Sequence, residues 1–152
     1  MIVDGREIVL RDQKPLHKGN TGLPNGYKFD DFIESLNRRV FFWPGDKSGP
    51  IDYGLRHFER YKDERPVVLR IDFASLIDAN PSIEPRFCRY NSGAPRCSYG
   101  KKSPRGPRTF LAAAHFEGAP AGVVELTFEG EISLPPNTKF GKHPAGPWSS
   151  LF

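Results

Sequence analysis

Glycine and proline interrupt this chain so often that long regular elements are excluded. There are 15 of each among 152 residues. Proline fixes φ and removes a backbone donor, and glycine gives up more entropy on ordering than any other residue. The expected fold is therefore assembled from short strands, short helices and many turns. The length suits one domain over residues 1–152 with a core of its own. Phe occurs 12 times against a single Met, so that core rests on Phe, Leu, Ile and Val. Residues 135–152 form a Pro- and Gly-rich tail that is ordered only by docking.

Periodicity places the elements. Phe29, Phe32, Ile33 and Leu36 stand at i, i+3, i+4 and i+7, one face of a helix. Asp30 and Asp31 lie early in it and Arg38 and Arg39 late, as the helix dipole favours. Residues 54–62 read as a second helix, with Leu55, Phe58 and Tyr61 facing inward. Strands are expected over 7–10, 40–43, 66–73, 87–90 and 123–128, the last reading VVELTF. Residues 74–79 read as one helical turn, 11–25 as a loop, and 109–116 as a short apolar run. Phe41 is assigned to the core, with Phe42 and Trp43 left open. Strands outnumber helices, and the helices fall in the first half. That is an α+β fold of small mixed or antiparallel sheets with two short helices.

Charge is concentrated in one place. Arg86, Arg89, Arg96, Lys101, Lys102, Arg105 and Arg108 lie between residues 85 and 116, with no acid among them. Those seven cations against a chain net of +4 leave −3 elsewhere. A focused positive segment attracts phosphate, whether on a nucleotide or on nucleic acid. Within it, Asn91-Ser92-Gly93 and the run 103–108 bring small residues that let backbone N–H groups approach an anion, and arginines that fork onto one. Arg96, Lys101, Lys102, Arg105 and Arg108 are the candidates for nucleic-acid or anion binding. Against this stands the common case of a solvated, mobile loop. Its length without secondary structure raises the odds of function, and residues 93–108 are expected to be among the most mobile of the chain.

Other classes are not supported. No apolar run approaches the length that spans a bilayer, and residues 1–10 carry acids and lack the apolar core of a secretory signal. A cytoplasmic protein without membrane partners is expected. Cys88 and Cys97 are then two free thiols. There is no CxxC, and His17, His57, His115 and His143 are not at ligand spacing, so no metal site is expected. GxxxxGK[ST], GxGxxG and GxSxG are all absent.

Three further residues stand out. Alternation in VVELTF puts Val123, Glu125 and Thr127 on one face and Val124, Leu126 and Phe128 on the other. A solvent-facing Glu125 on a half-exposed strand is the plainer reading. The functional one is a carboxylate lining a cleft beside the basic loop, where it stabilises positive charge or polarises a hydroxyl. Arg11 follows a strand and suits bidentate phosphate binding, though a surface arginine paired with an acid is more common. Trp43 could stack on a base or a nicotinamide ring, or belong to the core.

The runs LRDQKPL (10–16), LNRRVFFWP (36–44), VVLRIDFASL (67–76), NSG (91–93), PRGPRTF (104–110) and VVEL (123–126) resemble, together and in this order, a bacterial domain family of unassigned function. The resemblance spans roughly residues 6–134. More distantly, that family resembles the ADP-ribosyltransferase fold, in particular the DNA-modifying toxins of toxin–antitoxin systems. The resemblance implies NAD as substrate, held in a cleft between sheets with Arg11, Trp43, Asn91 and Ser92 around it. It implies Glu125 as the catalytic carboxylate that positions the acceptor as nicotinamide leaves. It casts the loop 93–108 as the element that holds the acceptor, and an antitoxin as a partner. Those enzymes begin with an H-x-T-like strand and a helix that bind the nicotinamide half, and this chain starts past them. That implies a truncated form, a completing N-terminal partner, or lost NAD binding.

Three functions follow in order. The first is an ADP-ribosyltransferase-like enzyme with a nucleic-acid or protein acceptor. The second is a non-enzymatic nucleic-acid-binding module using residues 86–108. The third is a metal-independent nuclease toxin using His57 or His115 with nearby arginines.

Overall fold

A computed structural model describes residues 16–152, preceded by the backbone of a short antiparallel pair, β1 (Ile2–Val3) and β2 (Arg6–Glu7). The chain continues through β3 (Thr21–Gly22), α1 (Phe29–Asn37), β4 (Arg39–Phe42), β5 (Gly45–Asp46), β6 (Gly49–Pro50), α2 (Asp52–Tyr61), β7 (Val68–Arg70) and α3 (Phe73–Asp78). After Asp78 come strands and single 3-10 turns only: β8 (Arg86–Cys88), β9 (Cys97–Ser98), β10 (Lys101–Pro104), β11 (Leu111–Ala112), β12 (Glu125–Glu129), β13 (Lys139–Gly141) and β14 (Ser149–Ser150). The fold is α+β with several small, mostly antiparallel sheets, as expected.

The central sheet has the order β11-β8-β12-β4 and is antiparallel throughout. Both of its faces are covered. On one, Leu126 and Phe128 pack with Leu76 of α3 and with Phe42, Ile71, Ile83 and Phe87. On the other, Cys88 packs with Phe32 and Leu36 of α1 and with Phe110. β12 is therefore the buried spine of three layers, with α1 on one side and α3 on the other.

Several expectations need correction. The strand expected over 66–73 shrinks to β7 because Asp72 accepts a hydrogen bond from the Ser75 N–H at 2.9 Å. That is an N-cap, and it turns the chain into α3 at Phe73. In α2, Leu55 is 41% exposed, while Gly54 is buried against Trp43 and Pro50. The helix lies too close there for any side chain at 54, which rotates Leu55 outward. Phe41 is exposed, not core, and meets Phe110 edge-on at 6.0 Å. Residues 93–108 are not a bare loop, since β9 and β10 form a hairpin that β3 extends. The expected tail does dock: β13 pairs with β7, and β14 with β13. The strand expected over 7–10 reaches Glu7, and its remainder lies outside the described residues.

Candidate functional site

Glu125 opens β12 directly opposite Cys88 of β8. Alternation correctly pairs it with Thr127 on one face, but α1 covers that face, so the solvent-facing reading is overturned. Glu125 is 4% exposed. Its Oε1 accepts from the Ser92 backbone N–H at 3.1 Å. Burial pushes the carboxyl up to about 7, against the lowering influence of the Ser92 hydroxyl, the Ser92 N–H and the Arg105 charge. A carboxyl in that state titrates near neutrality, where an acid–base group works best.

Two buried atoms here meet no strict hydrogen-bond geometry among the described residues, Glu125 Oε2 and the Ser92 hydroxyl oxygen, and they are neighbours, since the Ser92 hydroxyl lies close enough to the carboxyl to lower its pKa. Such orphans are uncommon in folded proteins and each calls for an explanation. The third among the described residues is Arg39 Nε. Arg39 opens β4 opposite Glu129, with its guanidinium 4.6 Å above the Phe110 ring and 3.4 Å from the Glu129 carboxylate.

Arg105 organises the Asn91-Ser92-Gly93 turn from inside. The sequence offers it as an anion ligand or, in the commoner case, as part of a solvated loop, yet it is 6% exposed. Its Nε donates to the Ser92 carbonyl at 3.0 Å, one terminal nitrogen to the Pro104 carbonyl at 2.8 Å, and the other to the Asn91 carbonyl at 2.9 Å. The guanidinium lies 4.2 Å from the centre of the Tyr90 ring. Every arm of the fork is thus committed to protein. Burial lowers its pKa, while Tyr90, Cys88 and Glu125 raise it, and guanidinium remains a cation. Cys88 donates its S–H to the Tyr90 carbonyl at 3.1 Å, and burial pushes that thiol up to about 12. It is a packing group and not a nucleophile.

A groove of about 350 Å³ lies on the far side of Arg105, with Tyr90, Pro24, Arg108 and Thr109 in its walls. Glu125 is not in the wall; it stands two contacts in, through Arg105 and Ser92. The turn that shapes the rim depends on Gly106, whose φ is +152° and where a Cβ would fall 2.9 Å from Cδ of Pro24. Gly106→Ala is expected to cost about 2 kcal/mol, read as a lower urea midpoint. An unchanged midpoint would show that the rim yields to a methyl group.

The remaining expected residues divide. Asn91 and Ser92 meet Glu125 and Arg105 as described. Arg96, Lys101, Lys102 and Arg108 are exposed, and among the described residues none of them forms an ion pair. Trp43 follows Phe42, the residue opposite Leu126, so it sits at the Glu125 end of the β4–β12 ladder. Its ring stacks on Tyr53 at 6.3 Å and tilts over His57 at 5.8 Å. Arg11 lies outside the described residues. Among the described residues no group of three or more His, Cys, Asp or Glu side chains is placed to hold a metal, and no helix is long and apolar enough to cross a membrane. Cys88 and Cys97 are free thiols.

A family profile matches residues 2–135. The protein belongs to DUF7002, a family of unknown function. The resemblance to a domain family of unassigned function is thereby borne out over nearly the same span. No curated protein and no solved structure matches the chain.

What this DUF7002 chain holds at its centre is a buried carboxyl poised near neutral pH, held by the Ser92 N–H and close to the Ser92 hydroxyl and to a fixed cation. That set can accept a hydroxyl hydrogen bond, take up a proton, or stabilise a passing positive charge. Cys88 and Tyr90 went unnoticed in the sequence as parts of this cluster. The only available signal was that β8 and β12 both read as strands, and register alone brings Cys88 opposite Glu125.

Proposed function

We propose that this chain is an ADP-ribosyltransferase-like protein that takes NAD as substrate and passes ADP-ribose to a nucleic-acid or protein acceptor. One observation carries the reading: a carboxyl, Glu125, is buried on the central strand beside the Ser92 hydroxyl and N–H and titrates at about 7. Burying a carboxyl costs stability, and a ligand hydroxyl that donates to it recovers part of that cost. A ribose supplies such a hydroxyl. In the reaction the bond from ribose C1′ to the nicotinamide nitrogen breaks, and nicotinamide leaves with the bonding pair. The acceptor forms the new bond to C1′ and loses its proton to Glu125. The carboxylate stabilises the positive charge that builds on the ribose. Arg105, in the groove wall, is a positioning residue that holds the Ser92 turn on which Glu125 rests. The reading brings with it a cytoplasmic location and an antitoxin or completing partner.

Arg96, Lys101, Lys102 and Arg108, exposed and without ion pairs among the described residues, favour a second reading, a non-enzymatic nucleic-acid-binding module. NAD separates the two. At a hundred times its dissociation constant, NAD should stabilise the protein by about 2.7 kcal/mol, a rise of about 5–10 °C in Tm for a chain of this size. ADP-ribose is tested alongside. No shift with either ligand would remove the NAD site and leave the second reading, whose affinity must fall steeply with salt.

A further inference from the structure

The hairpin of β9 and β10 carries a residue that the fold does not use. Ser98 and Lys101 close a two-residue turn made of Tyr99 and Gly100, both with positive φ, +50° and +74°. That is the type I′ pattern, whose first central position favours Asn, Asp or Gly. A tyrosine in the left-handed region is uncommon and strained. Tyr99 recovers nothing by burial, because it is 105% exposed. Among the described residues its ring meets no other ring and no cation. A strained position held by a side chain that packs on nothing points to a contact outside the chain.

The surroundings say what kind of contact. Arg96, Lys101 and Lys102 flank the turn, exposed and without ion pairs among the described residues. The hairpin base is braced. The Arg96 N–H donates to the Ser103 hydroxyl oxygen at 2.9 Å, and that hydroxyl donates to the Arg96 carbonyl at 2.6 Å. β10 then pairs with β3 at Ser103 and Pro104, and Pro104 borders the groove. The tip is therefore a braced aromatic plate set among cations, running back to the groove rim. An aromatic face with flanking positive charge matches a base with its neighbouring phosphates.

We propose that residues 96–103 form a surface for single-stranded nucleic acid, with Tyr99 stacking on an unpaired base and Arg96, Lys101 and Lys102 taking the flanking phosphates. The inference deepens the reading above by naming its acceptor, and it rests on that reading for the word acceptor alone. Contact with nucleic acid is measured without NAD, so the two can fail separately.

The test is fluorescence anisotropy of a labelled single-stranded oligonucleotide with the full chain. Tyr99→Asn should lower affinity on the order of tenfold while leaving Tm unchanged or higher, because Asn-Gly suits this turn better. Tyr99→Trp should retain binding. Removing both charges in K101Q/K102Q should make the log–log salt slope shallower by about 1.4. Three results would overturn the proposal. They are equal affinity for Tyr99→Asn, equal competition by inorganic polyphosphate (which has no bases), and binding to vesicles of anionic lipid without binding to the oligonucleotide.

Discussion

Glu125→Gln is expected to raise the melting temperature at pH 8, to leave it nearly unchanged at pH 4, and to abolish the NAD turnover that the proposed function calls for. The sign follows from linkage. The folded Glu125 carboxyl titrates at about 7 against an ordinary value of 4.5. Between those values the folded state binds the extra proton, so stability falls as pH rises through that window. The contribution is fully present below about 4.5 and gone above about 7. At 1.36 kcal/mol per pH unit the difference amounts to about 3 kcal/mol. Glutamine keeps the acceptor for the Ser92 N–H and never ionises, so it avoids this loss. At about 2–4 °C per kcal/mol, the gain at pH 8 is about 6–12 °C. Turnover should fall by about 10²–10⁴, the usual loss for a removed acid–base group. Parallel pH–stability curves for the two proteins would show that Glu125 is solvated. Unchanged turnover in an NAD-consuming preparation would remove Glu125 from the chemistry. A variant that gains stability as it loses activity is what a site built at the fold's expense produces.

Arg105→Met should be the most damaging single change among the expected anion-binding residues. Methionine fills much of the stem's volume but offers no donor. It leaves the carbonyls of Asn91, Ser92 and Pro104 without their partner and Tyr90 without its cation. Unsatisfied buried groups cost about 1–3 kcal/mol each. Partial rehydration at the groove offsets some of that, which leaves a loss of about 3–5 kcal/mol. The readout is the urea midpoint. Lys101→Met, at an exposed position on the same segment, should stay within about 0.5 kcal/mol of the native chain. Arg105→Lys should recover little, since an ammonium cannot serve three carbonyls as a planar fork does. A native-like midpoint for Arg105→Met would mean that the guanidinium is solvated and free to bind an anion.

Much of the architecture was legible in the chain, and the reasons are local. Phe29, Phe32, Ile33 and Leu36 announced α1 because helical spacing is a property of the chain itself. The β-branched and aromatic runs announced β4, β7 and β12 in the same way. Local chemistry was also misread once. Asp72 and Ser75 form a cap, but they sit inside a run whose composition favours a strand, and the cap prevailed. Leu55 and Phe41 failed for another reason. Each is apolar and periodic; the close approach at Gly54 turns Leu55 outward, and Phe41 stays 40% exposed although its ring meets Phe110.

The sequence by itself determined the short-element α+β character, through proline, glycine and periodicity, and it determined that positive charge is gathered on one segment. Only the tertiary structure decided what those residues do. Alternation states which residues share a face with Glu125; it does not state that α1 covers that face, and the covering is what buries the carboxyl and moves its titration. Charge runs are ordinarily solvated, and nothing along the chain separates Arg105 from Lys101 or Lys102. The separation comes from carbonyls 13 and 14 residues away in sequence that close around Arg105 alone. Burial and hydrogen-bond partnership depend on which distant segments meet, and that is set by packing.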